Sequence, residues 1–302
     1  MPEEESRAVP PASGVADNSP VYPPSLDDQQ PASAGDWSVQ RKRFAVLTGL
    51  LLNFNTTLSS SLPSGAIDSL NAAFHVTDNH QTSLPVAVFL IGYIFGPLVF
   101  GFVSESYGRR KCFISSFALY TIFTMACALA PTWPALLVFR FLVGLGASAP
   151  QAVLGGMFSD LYPDLRPRGT AVMFLGLTSN IGPLIGPIIA GFSTVKDWRW
   201  MFWISLIMAG ANWPLLLFLP ETFLPARQHA VVESSLEKNE PDTILAKVKL
   251  EFVMQDWVKR VLTRPIRMFA EPMVLLTDLF LLYQYSVLFL YFEAYPIIFK
   301  GM

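Results

Sequence analysis

The sequence predicts an all-α membrane protein: a six-helix bundle followed by a seventh transmembrane helix. Three observations predict it. Of the 302 residues, 52% are hydrophobic and 15% are charged. Charge is missing over long reaches, since Asp68 and Asp78 are the only acids or bases at positions 44–104, Arg140 is the only one at 112–159, and 169–195 holds none. A soluble domain would need charged side chains over that much surface. Apolar stretches of about 20 residues, long enough to cross a bilayer as a helix, recur seven times.

The elements follow in order. Residues 1–40 hold seven Pro and seven Asp/Glu against one base, Arg7, a composition that predicts a disordered cytoplasmic tail. No apolar core follows a basic start, so this segment does not resemble a signal peptide. Spans are expected at 44–63, 84–104, 112–130, 136–158, 170–192 and 201–220, which make the bundle over 41–220. A linker follows at 221–271. Within it, at 243–262, apolar Leu245, Val248, Phe252, Trp257 and Val261 recur among Lys247, Lys249, Lys259 and Arg260. That pattern predicts an amphipathic helix on an anionic leaflet, with a plain solvated linker as the alternative. Residues 272–302 carry the seventh span, 273–299.

Lys and Arg set the orientation. Sixteen of the 21 bases fall on one side: Arg41, Lys42 and Arg43; Arg109, Arg110 and Lys111; Arg166 and Arg168; and eight between Arg227 and Arg267. The other side has Lys196, Arg199 and Lys300. The N-terminus is therefore expected in the cytoplasm and the end of the chain outside. A seven-helix receptor would need the opposite sense, and a retinal protein would need a lysine in the seventh span, which has none. Cys112 and Cys127 share one apolar run and suggest neither a disulfide framework nor a metal site. No phosphate-binding glycine loop is present. The chain is expected not to be an enzyme, to use no metal or cofactor, and to bind no nucleic acid.

Several intramembrane residues carry chemistry. Arg140 costs about 2.5 kcal/mol or more to insert, so it should face the bundle interior or a wet cavity, with Gly144 and Ser148 on the same face. It reads either as a proton- or substrate-coupling charge or as a structural arginine binding carbonyls. In the fifth span Gly182, Gly186 and Ala190 fall on one face, where helices can approach closely, while Pro183 and Pro187 each remove a backbone donor and bend the helix. The turn from Gly101 through Glu105 and Gly108 to Arg109, Arg110 and Lys111 reads as a charge latch, with Glu105 available to an arginine or a helix N-terminus, or as a plain basic stop. Asn53, Thr57 and Ser60 at i, i+4 and i+7 suggest a cavity-lining face. Asp278 and Glu293 are membrane-embedded acids suited to proton carriage. Tyr291, Phe292 and Tyr295 beside Glu293 could stack on a cationic or flat ligand, or Glu293 reads as an interface acid beside belt aromatics. His75 and His80, with Asp78 between them, read as a solvated loop.

In this order the motifs resemble the major facilitator superfamily, in particular its fungal drug/proton antiporters. The 101–111 turn is similar to the superfamily's signature between spans two and three, with Glu105 for its Asp and Ser106 for its first Arg. Arg140 with Gly144 resembles the fourth-span proton-coupling motif. Gly182, Gly186, Pro187 and Gly191 match the antiporter signature Gly-x-x-x-Gly-Pro-x-x-Gly-Gly, with Ala190 at the first of the closing pair. Positions 60–65 and 292–296 also look like fungal multidrug and polyamine exporters. The resemblance implies a substrate cavity between two six-helix bundles and alternating access driven by a proton gradient. It also implies plasma-membrane export of small amphiphilic or cationic compounds such as drugs, polyamines or a fungal secondary metabolite. A nutrient symporter and an inactive remnant are the alternatives. Such transporters have twelve spans, so seven suggest a fragment of a monomeric transporter rather than a self-associating half.

Overall fold

The computed structural model describes residues 34–76, 81–193, 197–222 and 271–299, with no strand among them. We number the helices α1 (Val39–Ser61), α2 (Ile67–Phe74), α3 (Leu84–Tyr107), α4 (Arg109–Ala128), α5 (Trp133–Ala147), α6 (Ala149–Leu161), α7 (Leu165–Ser193), α8 (Trp200–Leu217) and α9 (Pro272–Phe299). Six stretches among the described residues are long and apolar enough to cross a membrane: Leu84–Gly101, Arg109–Ala128, Trp133–Leu161, Leu165–Ser193, Trp200–Leu217 and Pro272–Tyr291.

The expected first span, α1, is missing from that set because its polar side chains lower its hydropathy. They are nonetheless buried. Thr48, Asn53, Asn55, Thr56, Thr57, Ser59, Ser60 and Ser61 all lie inside the bundle, where neighbouring helices rather than lipid surround them. The fourth span also differs from the single helix expected. It breaks between α5 and α6 at Ser148, because Pro150 in the first turn of α6 has no N–H to continue the ladder. The tail ends earlier than position 40: Ala34–Asp36 form a 3-10 turn, Ala34 and Trp37 are buried, and the Arg41 guanidinium stacks 4.1 Å from the Trp37 ring.

Two close crossings organise the bundle: α1 against α7 and α3 against α5, with α4 wedged against α5 and α8. Glycine makes the α3–α5 crossing possible. A methyl at Gly144 would fall on the Phe89 carbonyl, and one at Gly96 would meet the Ser148 hydroxyl and lie 2.7 Å from the Leu145 carbonyl oxygen. The core is aliphatic and aromatic, with Phe89, Phe113, Phe117, Phe158 and Phe202 fully enclosed. Helix α9 buries none of its described side chains fully and meets the bundle at the 3-10 turn Leu62–Ala66. The tail up to residue 33, the linker at 223–270 with its amphipathic segment, and His80 lie outside the described residues.

Candidate functional site

Arg140 is fully buried on α5. Its guanidinium makes a three-pronged clamp: Nε donates to the Pro85 carbonyl at 3.1 Å, Nη1 to Ser59 at 3.0 Å and Nη2 to Ser60 at 3.1 Å. Phe89 and Phe202 present their rings at 4.7 and 5.8 Å. Among the described residues no carboxylate pairs with it. A single cation thus ties α5 to the end of α1 and the start of α3. Beside it lies a buried polar cluster. The Tyr120 hydroxyl donates to Asn55 Oδ1 at 3.0 Å and shares a 2.7 Å bond with Ser205, while Asn55 Nδ2 has no partner among the described residues.

The α1–α7 seam is the second feature. A methyl at Gly182 would collide with the Thr57 hydroxyl and sit 2.9 Å from the Leu58 nitrogen; at Gly186 it would collide with the Ser61 hydroxyl. Pro187 has no N–H to offer the Pro183 carbonyl four residues back. Ser61 Oγ supplies that bond from the opposite helix at 2.9 Å. Gly191 has more room, its nearest neighbour being the Gly65 carbonyl oxygen at 3.9 Å. Asn53 completes the seam, donating to Thr178 Oγ1 at 3.1 Å and Ser179 Oγ at 3.0 Å; Ser179 in turn donates to Gln151 of α6 at 2.9 Å.

This placement corrects the cavity expected of α1. Asn53, Thr57 and Ser60 are buried in helix contacts, and their hydroxyls or amide bond to backbone or to α7. Gly144, also assigned to a cavity, instead lies against α3. Tyr291 is different. With Pro187 and Gly191 it lines a cavity of about 710 Å³ between the 3-10 turn, α2, α7 and α9.

At the basic end, Gly108 makes the turn between α3 and α4 with φ 99° and ψ 159°, a conformation open essentially to glycine alone. Arg109 then bonds Asp160 at 3.2 Å and Ser104 Oγ at 2.8 Å, its guanidinium lying over Gly156. The Glu221 carboxylate spans the first two amides of α4, accepting from Arg109 N at 2.9 Å and Arg110 N at 3.1 Å, and Arg110 reaches the Leu217 carbonyl at 2.7 Å. The latch carboxylates seen here are therefore Asp160 and Glu221. Glu221 holds the helix N-terminus offered to Glu105, whose own side chain lies outside the described ones. Gly101 has open space around it. Asp278 is partly exposed on α9, and among the described residues it forms no ion pair with Arg140. Phe292, Glu293 and Tyr295 continue α9, with their side chains outside the described ones.

A family model described as "Major Facilitator Superfamily" matches residues 49–302. The chain belongs to the major facilitator superfamily. It is accordingly an integral, multi-pass membrane protein of a transporter family. Among curated relatives, "Multidrug transporter FLR2" of Candida glabrata is 29% identical over 99% of this chain and 52% of its own length. "Efflux pump FUB11" of Gibberella moniliformis is 34% identical over 84% and 44%. "Polyamine transporter 3" of Saccharomyces cerevisiae is 30% identical over 95% and 47%. The chain spans about half the length of these relatives. Among solved structures, the proton:xylose symporter XylE shares the superfamily fold, with a TM-score of 0.58 and 22% identity over 78% of this chain and 57% of that one.

Within this superfamily member, sequence reasoning missed Asp160, Glu221, Gln151 and Tyr120. A signal existed for the first two, since both are acids on the face that collects the bases, where a partner is available.

Proposed function

We propose that this protein is the N-terminal part of a proton-coupled exporter of small amphiphilic or cationic compounds. The observation that carries the reading is the α1–α7 seam. A run matching the antiporter signature is built into a contact so close that Gly182 and Gly186 admit no methyl, and Ser61 stands in for the backbone donor that Pro187 lacks. Such a seam holds two helices in close contact, with only small polar side chains such as Thr57 and Ser61 against the glycine face, and leaves a proline-containing helix able to rock as one piece. The names of the relatives, a multidrug transporter, an efflux pump and a polyamine transporter, support export and the substrate class.

On this reading the proton gradient is the driving force and no cofactor takes part. Arg140 is the coupling charge, with Asp278 and Glu293 as proton carriers. The protein sits as a monomer in the plasma membrane, its lipid bilayer and small-molecule substrate its only required partners. The Arg41–Arg43 and Arg109–Lys111 end faces the cytoplasm, as the distribution of Lys and Arg supports.

The test is substrate uptake into inside-out vesicles carrying the protein expressed from its complete reading frame. An imposed inward-acid gradient should drive accumulation that collapses with a protonophore. Accumulation indifferent to the gradient would overturn antiport.

A further inference from the structure

Two of the three carbonyls that hold Arg140, those of Ser59 and Ser60, lie in the last turn of α1. In an uninterrupted helix they would accept from the amides of residues 63 and 64. Residue 63 is Pro63, which has no N–H to give. From Leu62 the chain tightens into a 3-10 turn that runs to Ala66. Amides in such a turn reach three residues back, so the Ser64 amide serves Ser61 rather than Ser60. Both acceptors are released, and both belong to buried residues. A buried carbonyl is costly to leave unpaired, and the C-terminus of a helix carries partial negative charge that favours a cation. Arg140 meets both conditions: Nη1 takes the Ser59 oxygen and Nη2 the Ser60 oxygen. The break in α1 therefore accounts for a fully buried guanidinium that pairs with no carboxylate among the described residues.

We propose that Pro63 is a positioning residue for Arg140: by ending the helical ladder inside the bundle, it builds the two-carbonyl seat that fixes where the guanidinium lies. The same break also reaches the α1–α7 seam. Ser61 Oγ donates to the Pro183 carbonyl, which Pro187 leaves without a helical donor. One short run of α1, Ser59 to Ser61, thus joins Arg140 on α5 to the proline-containing α7. The seat stands on the hydrogen bonding alone, while its bearing on proton coupling rests on the export reading.

A cycle of variants, followed by dye-reported melting at the buried Cys112 and Cys127, tests the seat without any transport. Arg140→Leu strands the three carbonyls and should lower the midpoint by about 10 °C. Pro63→Ala supplies an amide at 63 and lets the helix continue. Combined with Arg140→Leu it should melt about 5 °C above Arg140→Leu alone. In the parent background Pro63→Ala should not raise the midpoint, because the new amide competes with Arg140 for the Ser59 carbonyl. Arg140→Lys, with one nitrogen for three acceptors, serves the same cycle where Arg140→Leu fails to fold. Pro97→Ala, within α3, is the control, and its shift should simply add to that of either Arg140 variant. Pro63→Ala shifts that add in the same way overturn the seat. In inside-out vesicles carrying the protein from its complete reading frame, Pro63→Ala should cut the maximal rate of gradient-driven rhodamine 6G uptake about tenfold with KM unchanged, the pattern of a misplaced group that does not bind the substrate. A non-additive melting cycle beside an unchanged rate keeps the seat and overturns the coupling role of Arg140 alone. A non-additive cycle in a parent that takes up no dye against the gradient keeps the seat and counts against the export reading alone.

Discussion

Gly186→Ala places a methyl group in the tightest part of the α1–α7 seam. The added Cβ falls on the Ser61 hydroxyl and lies 3.0 Å from the Leu58 carbonyl oxygen. Ser61 can swing away only by giving up its 2.9 Å bond to the Pro183 carbonyl. That acceptor has no helical donor, because residue 187 is proline. Overpacking costs about 1–3 kcal/mol and stranding a buried carbonyl about 1–3 kcal/mol, so the substitution should cost about 2–6 kcal/mol. Ser61→Ala alone should cost about 1–3 kcal/mol through the lost bond. In the double variant the obstructing oxygen is gone, and the nearest side-chain atom becomes the Cβ of residue 61, 3.3 Å away. The double variant should therefore be about as stable as Ser61→Ala, a non-additivity as large as the Gly186→Ala penalty itself, about 2–6 kcal/mol. The chain's two cysteines, Cys112 and Cys127, are free and buried, so a thiol-reactive dye reports thermal unfolding directly. With about 2–4 °C per kcal/mol, Gly186→Ala should melt roughly 4–24 °C lower. Gly176→Ala is the control, since nothing lies within 4 Å of its added Cβ, and it should melt no lower than the parent. Additive penalties in the double variant, or equal midpoints for Gly186→Ala and Gly176→Ala, would refute the seam.

Three further outcomes follow from the geometry. Arg140→Lys keeps the charge but gathers it on one nitrogen, which cannot span the carbonyls of Pro85, Ser59 and Ser60; it should lose about 2–4 kcal/mol and abolish gradient-driven efflux, and a parent-like dye midpoint would show that the three-pronged clamp is dispensable. Glu221→Gln leaves one oxygen for two amides and removes the charge at the α4 N-terminus, so the Arg109 and Arg110 amides should exchange hydrogen faster by a factor corresponding to about 0.5–2 kcal/mol; unchanged protection would assign the cap elsewhere. Gly108→Ala forces a side chain into a φ of 99° and should cost about 1–3 kcal/mol, read as a lower midpoint, with a parent-like midpoint contradicting the turn.

What the sequence conveyed here depended on whether the partner was a side chain or a backbone. The spacing of Gly182, Gly186 and Ala190 was readable because close approach leaves a pattern of small residues. Thr57 and Ser61, four apart on α1, carry the matching imprint on the other helix. The burial of Arg140 was readable from its cost. Its partners were not, because a carbonyl oxygen belongs to every residue, and Pro85, Ser59 and Ser60 accept from it by position alone. Glu221 lies 112 positions from Arg109, and only the fold brings the two together.

The polar stripe Asn53, Thr57, Ser60 shows the remaining ambiguity in physical terms. Periodicity places such residues on one face, and the same face can meet water, a ligand or another helix. The partners decide: Thr57 and Ser60 return their hydroxyls to carbonyls of α1 itself, while Asn53 bonds Thr178 and Ser179 across the seam. A hydroxyl satisfied by its own helix needs no water, so it can be buried against a neighbour with no wet cavity beside it. The same choice explains why α1 falls short as a hydrophobic span yet occupies the interior. Its polarity is consumed inside the bundle, whereas the more apolar α7 leaves Val172, Met173, Phe174 and Leu177 exposed.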